Sequence, residues 1–295
     1  MRTKLTVPFA LALLAALPAA AQTSSNPFGF VAVGGIAFFT ATDSQTGREL
    51  WRTDGTMAGT FQVVDACPGP CMSGPATVAQ NGKSYFFTTL SEGPARELWV
   101  SGGLPANTFR LTDPLRFPRR GTWSAWIASQ GVLYFAADDG IHGMELWRTD
   151  GTRAGTHLAA DIRPGPAGSD PSELTDFGGR LFFRADDGRR GPSLWKSDGR
   201  AAGTRPVRDP VPGSAAHGGP SFLRVAGRTL FFIAPVRSGG SQLWKSDGTT
   251  AGTAALTNIP FTSGFLDSMA VGDRLLFVAS DSTRGQELWV SDGSA

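Results

Sequence analysis

The chain has 295 residues, 27 basic against 25 acidic side chains, three histidines and two cysteines. Near-neutrality leaves no electrostatic footprint for nucleic acid or an anionic membrane surface, and two cysteines are too few for a disulfide-built scaffold. At the N-terminus, Arg2 and Lys4 precede an apolar run that closes on Ala19, Ala20 and Ala21. This is the pattern of a secretory signal peptide over residues 1–21, with cleavage after Ala21 and a secreted or extracytoplasmic destination. Residues 22–27 are a short linker. No later apolar run approaches the roughly 18–20 residues needed to span a bilayer, so no membrane span is expected.

From residue 28 the chain repeats. RELWRTDGTMAGT around Trp51 returns as RELWVSGGLPANT around Trp99 and GMELWRTDGTRAGT around Trp147. SLWKSDGRAAGT, QLWKSDGTTAGT and QELWVSDGSA then surround Trp195, Trp244 and Trp289. A stretch that recurs about every 48 residues is a building block before it is a site. An aromatic or apolar pair precedes each motif, its second member 12 residues before the tryptophan, and a Thr stands nine residues after it in the first five units. The units are 28–66, 67–114, 115–162, 163–210, 211–259 and 260–295. Each predicts four short strands, as in FGFVAVGG, IAFFTATD, RELWRTDG and TFQVVDA, with Gly-containing turns between them. Adjacent Phe-Phe and Leu-Trp place bulk on both faces of a strand, so both faces of each sheet must be buried. Four-stranded units of this length with two buried faces predict an all-β protein, a β-propeller of about six blades in a single domain over 28–295. A β-solenoid is the competing fold, though its coils are usually much shorter. The sixth unit stops before a fourth strand, which leaves open a three-stranded last blade or a fragment of a longer array.

The recurrent ELW-x-x-DGT-x-x-GT pattern resembles the ELWxxDGT repeat family of exported bacterial proteins, found notably in myxobacteria. The resemblance covers about residues 28–293. Gly102 in place of Asp, Arg200 in place of Thr, and Ser193 or Gln242 in place of Glu are departures from it. It implies export and a repetitive β fold, and it names no ligand.

In the turns between strands three and four, the Gly of Asp-Gly is expected at positive φ, and Asn107, in place of the later Gly, is read as the next best residue for that conformation. Cys67 and Cys71 flank Pro-Gly-Pro and are expected to form a disulfide, a short CxxxC metal half-site being the alternative that no second Cys or His pair completes. The six tryptophans are read as structural, packing between blades. Glu49, Glu97, Glu145 and Glu287 share the position before Leu-Trp; they could ring an axis as catalytic carboxylates or make strand-edge hydrogen bonds and ion pairs. Asp138-Asp139-Gly140 and Asp186-Asp187-Gly188 suit turn caps better than calcium, because neither has the DxDxDG spacing. No catalytic, metal or cofactor motif stands out, and His142, His157 and His217 sit in unrelated contexts. Topology puts the longer, length-variable loops on one rim, where Asp138, Asp139, His142, Asp186, Asp187, Arg189, Arg190 and Arg284 are candidate binding residues. The expected function is a non-enzymatic module that binds a protein or glycan, with an extracellular carbohydrate-active enzyme as the alternative.

Overall fold

A computed structural model of the chain describes residues 24–66, 68, 78–80, 83–89, 95–118, 126–189, 191–208, 219–235, 240–256, 261, 267–281, 283 and 285–294. The expected signal peptide, the Cys67–Cys71 pair, Arg190 and Arg284 lie outside these residues. The described residues contain no α-helix, only 3₁₀ turns at Pro105–Asn107 and Ala201–Gly203.

Blade 1 is the antiparallel meander β1 (Phe28–Val33), β2 (Ile36–Asp43), β3 (Gly47–Thr53) and β4 (Phe61–Val64). Blade 2 comprises β5 (Val78–Gln80), β6 (Lys83–Thr89), β7 (Ala95–Ser101) and β8 (Thr108–Arg110), and a two-residue strand β9 (Leu115–Arg116) also pairs with β7. Blade 3 has β10 (Trp126–Ser129), β11 (Val132–Asp138), β12 (Met144–Thr149) and β13 (His157–Ala160). Blade 4 has β14 (Ser172–Phe177), β15 (Arg180–Ala185), β16 (Ser193–Ser197) and β17 (Arg205–Arg208). Blade 5 has β18 (Ser221–Ala226), β19 (Thr229–Pro235), β20 (Ser241–Ser246) and β21 (Ala254–Ala255). The sixth is three-stranded: β22 (Asp267–Val271), β23 (Arg274–Asp281) and β24 (Gly285–Ser291). The fold is therefore all-β and built from propeller blades, the last incomplete. The chain forms two compact units, one of residues up to Arg116 with Gly151–Arg153, the other of Phe117–Asp150 and Ala154 onward.

Strand register explains the recurrent Phe-Phe and Leu-Trp. Phe39 pairs with Trp51, Phe183 with Trp195, Phe232 with Trp244 and Phe277 with Trp289, so the second aromatic and the tryptophan share one face. Their rings stack, at 6.0 Å between centroids for Phe232–Trp244. The first aromatic and the Leu occupy the other face. Within the second unit, Tyr134 and Leu146 of blade 3 pack with Phe183 and Trp195 of blade 4. Phe182 and Leu194 of blade 4 pack with Phe232 and Trp244 of blade 5, and Phe231 and Leu243 of blade 5 with Phe277 and Trp289 of blade 6. In the first unit, Phe38 and Leu50 of blade 1 meet Trp99 of blade 2. The three interfaces of the second unit thus each join a Leu face to a Phe/Trp face, and burial of both faces of a blade is the main source of stability in such a stack.

The remaining letters of the motif build the third turn. Gly55, Gly199 and Gly248 have φ of 92°, 86° and 88°, a conformation in which a side chain is strained. The hydroxyl two residues after the tryptophan accepts the N–H of that Gly and shares a hydrogen bond with the Thr nine residues after it, as in Ser246–Thr253 at 2.7 Å. Thr253 Oγ1 in turn donates to Thr249 O. The later Gly has a different purpose from the one expected. Gly59, Gly155, Gly203 and Gly252 are not at positive φ; a Cβ on any of them would occupy the space of the Asp carboxylate five residues earlier. Blade 2 exchanges the two positions: Gly102 leaves room for Asn107, whose Oδ1 accepts Leu104 N–H at 2.8 Å. Asp54 Oδ1 accepts the equivalent N–H of Thr56 at 3.0 Å. Asn107 therefore substitutes for the Asp acceptor, and its tolerance of left-handed backbone is not involved.

A basic side chain after the tryptophan ties neighbours together. Arg52 Nη1 donates to Gly103 O at 3.3 Å, Lys196 Nζ to Gly248 O at 2.7 Å and Lys245 Nζ to Gly293 O at 2.6 Å. Each acceptor is the turn glycine of the following blade.

Candidate functional site

In the second unit, two glycines bring blade 3's last loop against its third strand. Gly143 and Gly168 are both at positive φ, and a Cβ on either would collide with backbone of the other's segment. Ser169 and Asp170 N–H groups donate to Met144 O, and Asp186 N–H to Ser169 O. The loop so fixed forms one wall of a cavity of about 350 Å³, lined among others by Met144, Asp170, Pro171, Arg184, Asp186 and Pro192. That volume is at the small end of ligand sites. Arg184 is half-buried, and no carboxylate lies within ion-pair distance of its guanidinium among the described residues. A partly desolvated, unpaired cation is costly, and an anionic ligand group would compensate it.

Glu145 lies beneath this loop and is fully buried. Its Oε1 accepts Arg163 N–H at 2.9 Å; its Oε2 accepts Ile162 N–H at 3.2 Å and the Ser169 hydroxyl at 2.6 Å. Burial pushes its carboxyl above the ordinary Glu value, and these three donors only partly offset that. Glu49 likewise accepts Ala66 N–H. Glu97 is buried too, but turns to Arg110 and to the Trp99 indole. These three carboxylates are committed to the scaffold, whereas Glu287 is exposed on blade 6.

The rim residues are placed as follows. Asp138 Oδ1 accepts Gly140 N–H, while Asp139 Oδ1 accepts both Ile141 and His142 N–H, so each caps its own loop. Asp139 Oδ2 lies 2.8 Å from His142 Nδ1. This bond raises the His142 value; at Asp139 burial acts upward, but the bonds from His142 and Ile141 outweigh it and the carboxyl is lowered. The clasp is complete below pH 6.5 as long as Asp139 stays ionised; it weakens as pH rises through the raised His142 value, and again as pH falls through the lowered Asp139 value. Asp186 and Asp187 cap the corresponding loop of blade 4 by accepting Gly188 and Arg189 N–H, and Arg189 is exposed. Only Asp186 of the described candidates reaches the cavity. Arg184, which sequence reasoning missed, follows Phe182-Phe183 where the other repeats place Thr40, Thr88, Ala136, Ile233 and Val278. A charge at a strand position that is small or apolar in every other repeat was the available clue.

No family model and no curated protein matches the chain. Among solved structures the chain is similar to a puromycin hydrolase, at 16% identity and TM-score 0.44 over 92% of this chain and 53% of the other. TolB from Acinetobacter baumannii is similar at 13% identity and TM-score 0.40, over 87% of this chain and 63% of TolB. The β-propeller domain of the Trilobed protease from Pyrococcus furiosus is similar at 12% identity and TM-score 0.39, over 92% and 97% of the two chains. The chain spans about half the length of the puromycin hydrolase. These likenesses concern fold and have no bearing on activity. No helix among the described residues is long and apolar enough to cross a membrane.

Proposed function

We propose that the protein is an exported member of the ELWxxDGT repeat family that binds a protein or glycan outside the cytoplasm, without chemistry of its own. The observation that carries the reading is Arg184, a half-buried guanidinium unpaired among the described residues and lining a cavity on the rim of variable loops. Commitment of Glu49, Glu97 and Glu145 to backbone, arginine and indole donors argues against the carbohydrate-active alternative, which needs carboxylates free to flank a glycosidic bond. Export rests on residues 1–21, and the mature protein is expected to begin at Gln22 with Cys67 joined to Cys71, both readable from an intact mass under non-reducing conditions.

Glycan and secreted-protein arrays probed with the mature protein test the binding reading. Arg184→Gln should abolish capture of the ligand found while leaving the unfolding midpoint unchanged. Hydrolysis of a polysaccharide, lost in folded Glu145→Gln, would transfer the protein to the enzyme class.

A further inference from the structure

The second repeat departs most from the motif, and the first unit, to which it belongs, holds a cavity of its own. In blades 1 and 3 the Glu before Leu-Trp turns to the backbone N–H groups of the blade's last loop. The indole N–H groups of Trp51 and Trp147 are buried there without a hydrogen-bond acceptor among the described residues. In blade 2, Glu97 accepts the Trp99 indole N–H on Oε2 at 3.2 Å and Arg110 Nη1 on Oε1 at 2.6 Å. One carboxylate thereby fixes both an aromatic ring and a guanidinium. Arg110 occupies the strand-four position filled by Gln62, Leu158, Pro206 and Ala255 in other repeats. Trp99, Phe109, Glu97, Arg110 and Arg153 line a cavity of about 560 Å³, ample for two sugar rings.

The charge in this cavity is asymmetric. Glu97 is neutralised by Arg110. Arg153 uses Nε to donate to Arg110 O at 2.9 Å, and no carboxylate pairs with its guanidinium among the described residues. Arg110 is 43% exposed, and its other contact, to Asp113 at 3.5 Å, involves a carboxylate 90% exposed that a ligand can displace. The cavity therefore offers two aromatic side chains for an apolar ring surface, and two arginines for an anion. We propose that it is a binding site for an acidic sugar, a uronic acid unit whose ring lies against Trp99 and Phe109 and whose carboxylate is held by Arg110 and Arg153. Aromatic contact is selective for ring surface, and planar guanidinium for carboxylate.

Titration calorimetry of the mature protein with digalacturonic acid, and with lactose as neutral control, tests this. Saturable binding of the acid, roughly tenfold or more weaker for lactose, is expected, since a charge-assisted hydrogen bond contributes about that factor. Arg153→Gln should weaken the acid by a similar factor with an unchanged unfolding midpoint; Arg110→Gln, which also strips the buried Glu97 of its counter-ion and lowers the midpoint, should weaken it likewise in protein still folded at the titration temperature, and Asp113→Asn should tighten it by removing the competing carboxylate. Arg184→Gln should bind digalacturonate like the parent, which separates this site from the cavity in the second unit. Absence of binding, equal affinity for lactose, or insensitivity to Arg110→Gln would overturn the assignment.

Discussion

Asp198 and Gly203 are two halves of one steric arrangement: the carboxylate accepts Arg200 N–H at 3.0 Å and fills the volume that a Cβ at 203 would need. Blade 2 achieves the same acceptor with Gly102 and Asn107. Transplanting that exchange gives a sharp expectation. Gly203→Asn alone should cost about 1–3 kcal/mol through collision, and Asp198→Gly alone about 1–2 kcal/mol through a lost hydrogen bond. The double variant should recover most of the sum, a coupling that denaturant melts of the four proteins would reveal; additive losses would contradict the exchange. Glu145 supplies a pH signature at the same scale. Its raised folded value means that, between about pH 4.5 and that value, the unfolded chain holds fewer protons, so stability falls as pH rises through the window. The stability of the parent relative to Glu145→Gln should therefore decline as pH rises above about 4.5, and a difference that does not vary with pH would show Glu145 ionised throughout.

Strands were the most legible elements, because a period near 48 residues and adjacent bulky pairs leave little choice of fold. Turn chemistry was half legible. The positive-φ Gly of Asp-Gly could be anticipated from backbone sterics, whereas the role of Gly59 and its equivalents depends on where an Asp side chain lies, which no local pattern states. The candidate site was less legible still: Asp138 and Asp139 attract attention as charges but cap their own loops, while Arg184 hides within an apolar strand. Register carries its own surprises. Blade 2 pairs Phe86 with Trp99, one residue away from the alignment elsewhere, although the sequence spacing is the same. The first strands of blades 4 and 5 carry a bulge that places Glu173 and Phe222 at φ of 58° and 55°, where blade 1 has Gly29 at 69°. Left-handed backbone costs a non-glycine residue about 1–2 kcal/mol, against about 0.5–1 kcal/mol for the added freedom of Gly in the unfolded chain. Glu173→Gly is thus expected to raise stability by up to about 1 kcal/mol in denaturant melts; a clear loss would mean that the bulge is held by more than backbone preference.

Across the whole molecule, equivalent residues of the motif differ in worth according to what covers them. The Leu before the tryptophan is 0–1% exposed in blades 1 to 5, yet Leu288 of blade 6 is 69% exposed, with Val290, Met269 and Val271 also exposed. Leu243 is enclosed by Phe277 and Trp289 of the following blade. Its truncation removes dispersion contacts and leaves a cavity, so Leu243→Ala should cost about 2–5 kcal/mol, and Trp195→Ala about 3–5 kcal/mol. Leu288→Ala should stay within about 0.5 kcal/mol, as surface changes do. The basic ties follow the same logic: Lys245→Met removes a half-buried hydrogen bond to the Gly293 carbonyl and should cost about 1 kcal/mol. Thermal and urea unfolding of the four variants ranks them directly. Equal losses for Leu243→Ala and Leu288→Ala would mean that the outer face of blade 6 is covered in solution, and that stacking of one Leu face on one Phe/Trp face continues beyond the interfaces described.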